Sequence, residues 1–199
     1  MLRDRKELPD KTPGLQKVSL IRQDGYEHPH SDSRRCQCRA EIYEHIHDRE
    51  EAGEIVVGWR RGVYPTRETA QNAVLLGDLF VLEDGGRVVT AGRINREQLP
   101  EYSSAAWKHR AEDNEVMVLH TLVVEPSAGR HGYAGAFLDF YEEYARENGC
   151  RVLRIDTNER NAAARAMYKK RGFSEAGAAP CTFNALPNIT LVMLEKKLD

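Results

Sequence analysis

Residues 116–156 constrain the fold more than any other stretch of the chain. "VMVLHTLVV" (116–124) is a nearly unbroken run of β-branched and apolar residues. From Gly132 to Glu147 the period changes. Tyr133, Phe137, Phe140, Tyr141 and Tyr144 recur at helical spacing, and Asn148-Gly149 supply a stop. "CRVLRID" (150–156) is a second apolar run. Strand, helix, strand in this order predicts two parallel strands joined by a right-handed crossover. Between the first strand and the helix lies "GRHGYAG" (129–135), three glycines and one alanine in seven residues. At a helix start the backbone N–H groups lack partners and the helix dipole adds partial positive charge. Small residues let a phosphate approach them closely. The loop therefore reads as a pyrophosphate cradle or as a plain tight turn.

The flanking segments fit around this unit. A first strand is expected over 17–23, a helix over 33–53 closed by Gly53, a Pro- and Gly-containing loop over 58–66 and a helix over 66–76. A hairpin over 78–95 turns around Asp84-Gly85-Gly86, and a long polar connection covers 96–114. A helix over 161–171 stops at Gly172, and "FSEAG" with "NITLVMLEK" form a final antiparallel pair. No repeat or linker divides the chain. The expectation is a flexible arm over 1–16 and one domain over 17–199, of α/β class and α+β type.

With 199 residues, 41% hydrophobic and 30% charged, the chain is long enough to bury a real core. A formal net charge of −2 provides no global field toward nucleic acid or anionic lipid. No apolar run approaches the ~18 residues of a membrane span. The charged start "MLRDRKELPDKTPG" has no apolar signal core, so a cytoplasmic protein is expected, contacting neither nucleic acid nor membrane. Cys36 and Cys38 lie near His28, His30, His45 and His47, but C-x-C and H-x-H are not metal-ligand spacings on a helix, and no metal is expected.

Three phosphate-binding loops compete for residues 129–135. The string G-x-x-x-x-G-K-[ST] does not occur. A dinucleotide fingerprint requires G-x-G-x-x-G directly after the strand. The order here is G-x-x-G-x-A-G behind a five-residue lead, Glu125 to Gly129, although Asp156 ends the next strand at a suitable distance. The third is the [QR]-x-x-G-x-[GA] loop of acyl-CoA transferases. "LHTLVVEPSAGRHGYAGAFL" with "LRIDTNERNAAARAMYKKRGF" resembles the GNAT superfamily of acyl-CoA-dependent N-acetyltransferases. The second stretch carries N-x-x-A-x-x-x-Y-x-x-x-G-F at Asn161, Ala164, Tyr168, Gly172 and Phe173. One departure is Gly129, which stands where the family has Arg or Gln, with Arg130 one place later.

The resemblance implies a central mixed, mostly antiparallel sheet flanked by helices, with the parallel β-α-β at the cofactor site. It implies acetyl-CoA as co-substrate and a small-molecule or peptide amine as acceptor; a homodimer stays open. Leu122, Val123 and Val124 would pair with the pantetheine like an extra strand. Gly129, Arg130, His131, Gly132, Tyr133, Ala134 and Gly135 would cradle the phosphates, and Asn161 would contact the cofactor or cap its helix. Tyr168 is the expected acid, since a phenol of pKa about 10 matches an alkyl thiol leaving group. His120 is the candidate base, with Glu125 the runner-up. Trp59 and Tyr64 are candidate acceptor-wall residues, and Tyr102 and Trp107 lie in a second irregular segment of the same kind. The alternative function is a non-catalytic acyl-CoA-sensing or interaction domain on the same fold.

Overall fold

The computed structural model describes residues 5–7, 18–23 and 29–199, with side chains from residue 40 onward. Twelve regular elements run in the order β1 (Arg5–Glu7), β2 (Val18–Gln23), α1 (Pro29–Glu51), α2 (Arg67–Leu75), β3 (Leu79–Asp84), β4 (Arg87–Asn95), β5 (Val116–Val124), α3 (Tyr133–Glu147), β6 (Val152–Asn158), α4 (Ala162–Lys170), β7 (Ser174–Phe183) and β8 (Leu186–Lys197). The strands form one eight-stranded sheet in the order β1-β2-β3-β4-β5-β6-β8-β7. Every pair is antiparallel except β5–β6. This is the mixed, mostly antiparallel sheet expected, with its parallel pair around α3. Of the expected arm, Arg5–Glu7 forms a strand against β2, and the rest lies outside the described residues. His28 and the side chains of His30, Cys36 and Cys38 lie outside them as well. Among the described residues no cluster of His, Cys, Asp and Glu could hold a metal ion. None of their helices is long and apolar enough to cross a membrane.

The periodicities seen in the sequence correspond to burial. Phe137, Leu138, Phe140, Tyr141 and Ala145 of α3 pack on one face of the sheet with Phe80, Leu119, Leu153 and Ile155. On the other face, Ile42, Tyr43 and Ile46 of α1 and Ala70, Ala73 and Val74 of α2 cover Leu79, Val81 and Ala91. The connection over 96–114 is not a loose excursion. Tyr102 is buried with Val116, Val118, Val152 and Met193, and Trp107 packs against them. Thr66 caps α2 through a reciprocal pair with Thr69.

One irregularity sets up the site. β4 and β5 pair at Arg93↔His120 and again at Ala91↔Val123, so two residues of β5, Thr121 and Leu122, oppose Gly92. This is a β-bulge, with Thr121 at φ 51°. An extra residue flips the side-chain alternation. Met117 and Leu119 face the α3 side before the bulge, and Leu122 and Val124 face it afterwards. Gly92 has to be glycine, because a Cβ there would lie 2.8 Å from the Phe137 ring and 3.0 Å from Leu119. The bulge also ends the parallel pairing. β5 and β6 are bonded only from Val116↔Val152 to Leu119↔Ile155, and past that point they part.

Candidate active site

The parting of β5 and β6 opens a cleft of about 690 Å³, continuous with solvent. His120, Thr121 and Leu122 line it from β5, Asp156 and Asn158 from β6, Asn161 and Tyr168 from the start and middle of α4, and Trp59 and Tyr64 from the 57–65 loop. The structure thus brings together six of the expected site residues: His120, Leu122, Asn161, Tyr168, Trp59 and Tyr64. Phe183, at the end of β7, completes the wall.

The cofactor half has two sets of unused backbone groups. Among the described residues the edge of β5 that faced β6 has no strand partner beyond Leu119, while its other edge stays bonded to β4 through Val124. An extended ligand can add there as a strand does. Farther along, Pro126–Ala128 makes one tight turn, Arg130 takes φ 69°, and Gly132, the N-cap of α3, takes φ 80°. Gly132 offers no side chain as a cap, so among the described residues the first-turn N–H groups of Tyr133, Ala134 and Gly135 receive no side-chain acceptor. A phosphate supplies what they lack. His131 is turned onto its own loop and donates from Nδ1 to the Gly129 carbonyl at 2.9 Å. Arg171 stands beside this helix start. A Cβ on Gly135 would lie 2.4 Å from its guanidinium, which is held by both oxygens of Asp139 at 2.6 and 3.2 Å. These donors fit a bound pyrophosphate on an extended chain.

Asn161 is the N-cap of α4, accepting from the Ala164 N–H at 3.1 Å, and it also lines the cleft, so both of its expected roles are compatible. Tyr168 is 5% exposed and packs on Phe173. Its hydroxyl makes no hydrogen bond among the described residues, and burial followed by the nearby Asp156 pushes its pKa well above the phenol range.

The two expected bases are placed differently. Glu125 does not line the cleft. It is 4% exposed and braces the turn after β5, accepting from Ser127 N–H and Oγ and from His45 Nδ1 at 2.9 Å. His120 does line the cleft, and its Nε2 donates to Asn95 Oδ1 at 3.1 Å. Burial, then the nearby Arg93, pushes its pKa down to about 4. It is a neutral imidazole with little basicity to offer at neutral pH.

This shift has a consequence for folding. Above pH 6.5 neither the folded nor the unfolded chain protonates His120. Between pH 6.5 and 4 the unfolded chain takes up a proton that the folded chain refuses, so stability falls as pH falls. The loss should approach roughly 3 kcal/mol. Denaturant unfolding of wild type and His120→Gln at pH 7 and pH 4.5 reads it: the wild type should lose the greater stability. Equal losses would mean that His120 titrates normally.

The sequence offers Asp156 only as a dinucleotide contact, and the cleft gives it another place. Its Oδ2 accepts from the Tyr102 hydroxyl at 2.9 Å. Burial raises its pKa to about 6, with the Tyr102 bond pulling the other way. It is the one formally charged side chain lining the cleft among the described residues. The spacing of the β6 strand located Asp156, but nothing local in the sequence said that Tyr102, fifty-four positions away, would bury it.

On the opposite wall, the Glu50 carboxylate at the end of α1 accepts from three successive backbone N–H groups, Val57 at 3.1 Å, Gly58 at 2.6 Å and Trp59 at 3.1 Å. This anchors Trp59, whose ring meets Tyr43 and Tyr64 edge-on. Gly58 presses on Asn158, where a Cβ would lie 2.1 Å from Nδ2.

Comparison with known proteins agrees with this geometry. The model of the acetyltransferase (GNAT) family matches residues 39–173, more than half of the chain. A curated relative, YhfO of Bacillus subtilis strain 168, described as an uncharacterized N-acetyltransferase, is 32% identical over 97 residues. That match takes in 49% of this chain and 58% of the relative, so the chain spans less than two thirds of its length. The fold is shared with a GNAT-family acetyltransferase from Streptococcus agalactiae 2603, at 16% identity and TM-score 0.69 over 93% of this chain and 98% of that one. It is shared also with yncA from Salmonella typhimurium, solved with its cofactor acetyl-CoA, at 17% identity and TM-score 0.60 over 92% and 95%. The cleft, the donor-rich helix start and the matched segment lead to one assignment: the chain belongs to the GNAT family of acetyltransferases.

Proposed function

We propose that the protein transfers an acetyl group from acetyl-CoA to a primary amine by direct attack, with both substrates held in the cleft where β5 and β6 part. One observation carries the reading. The unpaired edge of β5, an unbonded Tyr168 hydroxyl and the Asp156 carboxylate all line or border that one space. In the reaction a C–N bond forms as the thioester C–S bond breaks. The amine gives up a proton, and the sulfur takes one as it leaves.

The chain's residues divide this work. The β5 edge at Leu122–Val124 and the N–H groups of Arg130–Gly135 hold the pantetheine and the phosphates, and an N–H of the β5 edge faces the thioester oxygen. Asp156 attracts the acceptor ammonium and accepts its proton, directly or through water, because a carboxylate of pKa about 6 is ionised at pH 7 yet still basic enough to be useful. Asp156 takes this role in preference to His120, whose pKa of about 4 makes it the weaker base. His120 instead carries a hydrogen bond that fixes β5 to Asn95 at the bulge. Tyr168 donates to the sulfur. Its raised pKa keeps the proton in place until negative charge develops there.

Cofactor binding is tested by thermal shift. Acetyl-CoA should raise the melting temperature and NAD should not. Gly132→Val puts a β-branched side chain at φ 80° in the cradle, and it should lose most of the acetyl-CoA shift measured from its own unliganded melting point. A full shift in that variant, or a shift with NAD alone, would contradict the cradle.

A further inference from the structure

We propose that Tyr64 and Phe183 form a crossbar that closes the acceptor end of the cleft and restricts the enzyme to small amines, excluding polypeptides; the inference rests on the acetyl-transfer reading above. Tyr64 is 8% exposed and is held on several sides. Its hydroxyl is 2.6 Å from Thr121 Oγ1, on the bulge of β5. Its ring meets Trp59 edge-on at 6.1 Å and Phe183 edge-on at 5.4 Å. Phe183 is the last residue of β7, paired with Leu186 across the turn Asn184-Ala185. The Tyr64–Phe183 contact therefore ties the 57–65 loop, and through Thr121 the strand β5, to a hairpin on the far side of β6. It spans the place where the two central strands part.

A polypeptide acceptor needs an open trough so that its backbone can leave the site. The crossbar occupies one direction. In the other, the cleft continues into a shallow outer basin of about 830 Å³ lined by Arg60, Asn158, Arg160 and Asn188. Gly58 and Trp59 line both spaces, and the Gly58–Asn158 contact pinches the neck between them. The inner cleft also has to take the thioester end of the co-substrate. What remains suits an ammonium on a short, slender stem, drawn in by Asp156, and not one whose stem carries a polypeptide backbone into the neck at Gly58 and Asn158.

The test compares short primary alkylamines and single amino acids with hexapeptides bearing a free N-terminus or a lysine. In the wild type the best small amine should exceed every hexapeptide by roughly 100-fold or more in kcat/KM. Phe183→Ala should narrow that ratio by about 10-fold, chiefly through the acceptor KM, with the KM for acetyl-CoA unchanged. Phe183 is only half-buried, so the variant should fold, and Phe183→Leu should lie between. Hexapeptides turned over as well as small amines by the wild type would overturn the crossbar, as would a ratio unmoved in Phe183→Ala. A second readout needs no acceptor. Trp59 and Trp107 are the two tryptophans, so in a Trp107→Phe background acrylamide quenching reports on Trp59 alone. Quenching should rise severalfold on Phe183→Ala, and unchanged quenching would overturn the closure. Increased quenching with no amine turned over by any variant would uphold the closure and remove the acetyl-transfer reading beneath it.

Discussion

Tyr168→Phe should lower the turnover number by roughly 10–10⁴-fold, the contribution of one positioned proton donor. The substitution keeps the ring, its burial and its packing on Phe173, and it removes a hydroxyl with no hydrogen bond to lose among the described residues. Folding stability and acetyl-CoA affinity should therefore change little, because the phosphates and pantetheine use backbone groups elsewhere. The defect should shrink with an acetyl thioester whose thiol has a low pKa, since such a group leaves without a proton. Steady-state rates with good and poor leaving groups measure this. A defect equal for both would make Tyr168 a packing residue and not the proton donor.

Asp156→Asn should be comparably severe, about 10²–10⁴-fold in kcat/KM for the amine. The isostere keeps an acceptor oxygen for the Tyr102 hydroxyl but loses the charge that attracts the ammonium and the basicity that takes its proton. The pH profile separates this role from a structural one. A base acts when deprotonated, so the wild-type rate at low acceptor should rise with pH through an apparent pKa near 6. That limb should be absent in Asp156→Asn and present in His120→Gln. The reverse result would return the base to His120, with a pKa much higher than its burial beside Arg93 implies.

Much of this site was legible in the chain because its signals are local. Strand β5 falls at 116–124 as read, and α3 begins one residue after Gly132, since periodicity and glycine stops depend on neighbours in sequence. Asn161 and Tyr168 could be located because a seven-residue spacing on one helix fixes their relation. The missing parts depend on distant contacts. The bulge at Thr121 lies opposite Gly92 of the neighbouring strand, and Thr121 itself carries no mark of it. The raised pKa of Asp156 and the lowered pKa of His120 both come first from burial by other segments. Strand β7 runs through Pro180 to Phe183, past the expected stop near Gly177. Bulges at Glu175/Gly177 and Cys181/Phe183 let an edge strand accommodate these residues, and the turn at Asn184-Ala185 lacks the usual glycine. Phe183 was therefore the cleft residue least visible in sequence, because it reaches the cleft only through that hairpin.

The proposed roles of Asp156 and Tyr168 require direct transfer within a ternary complex. Initial rates with acetyl-CoA and the best amine of the panel, varied against each other, test it most directly. The predicted result is a set of intersecting double-reciprocal lines, with one thiol released for each amine acetylated and negligible release without amine. Parallel lines together with an isolable acetylated enzyme would contradict it, because they would require a nucleophile on the chain to carry the acetyl group between the two substrates.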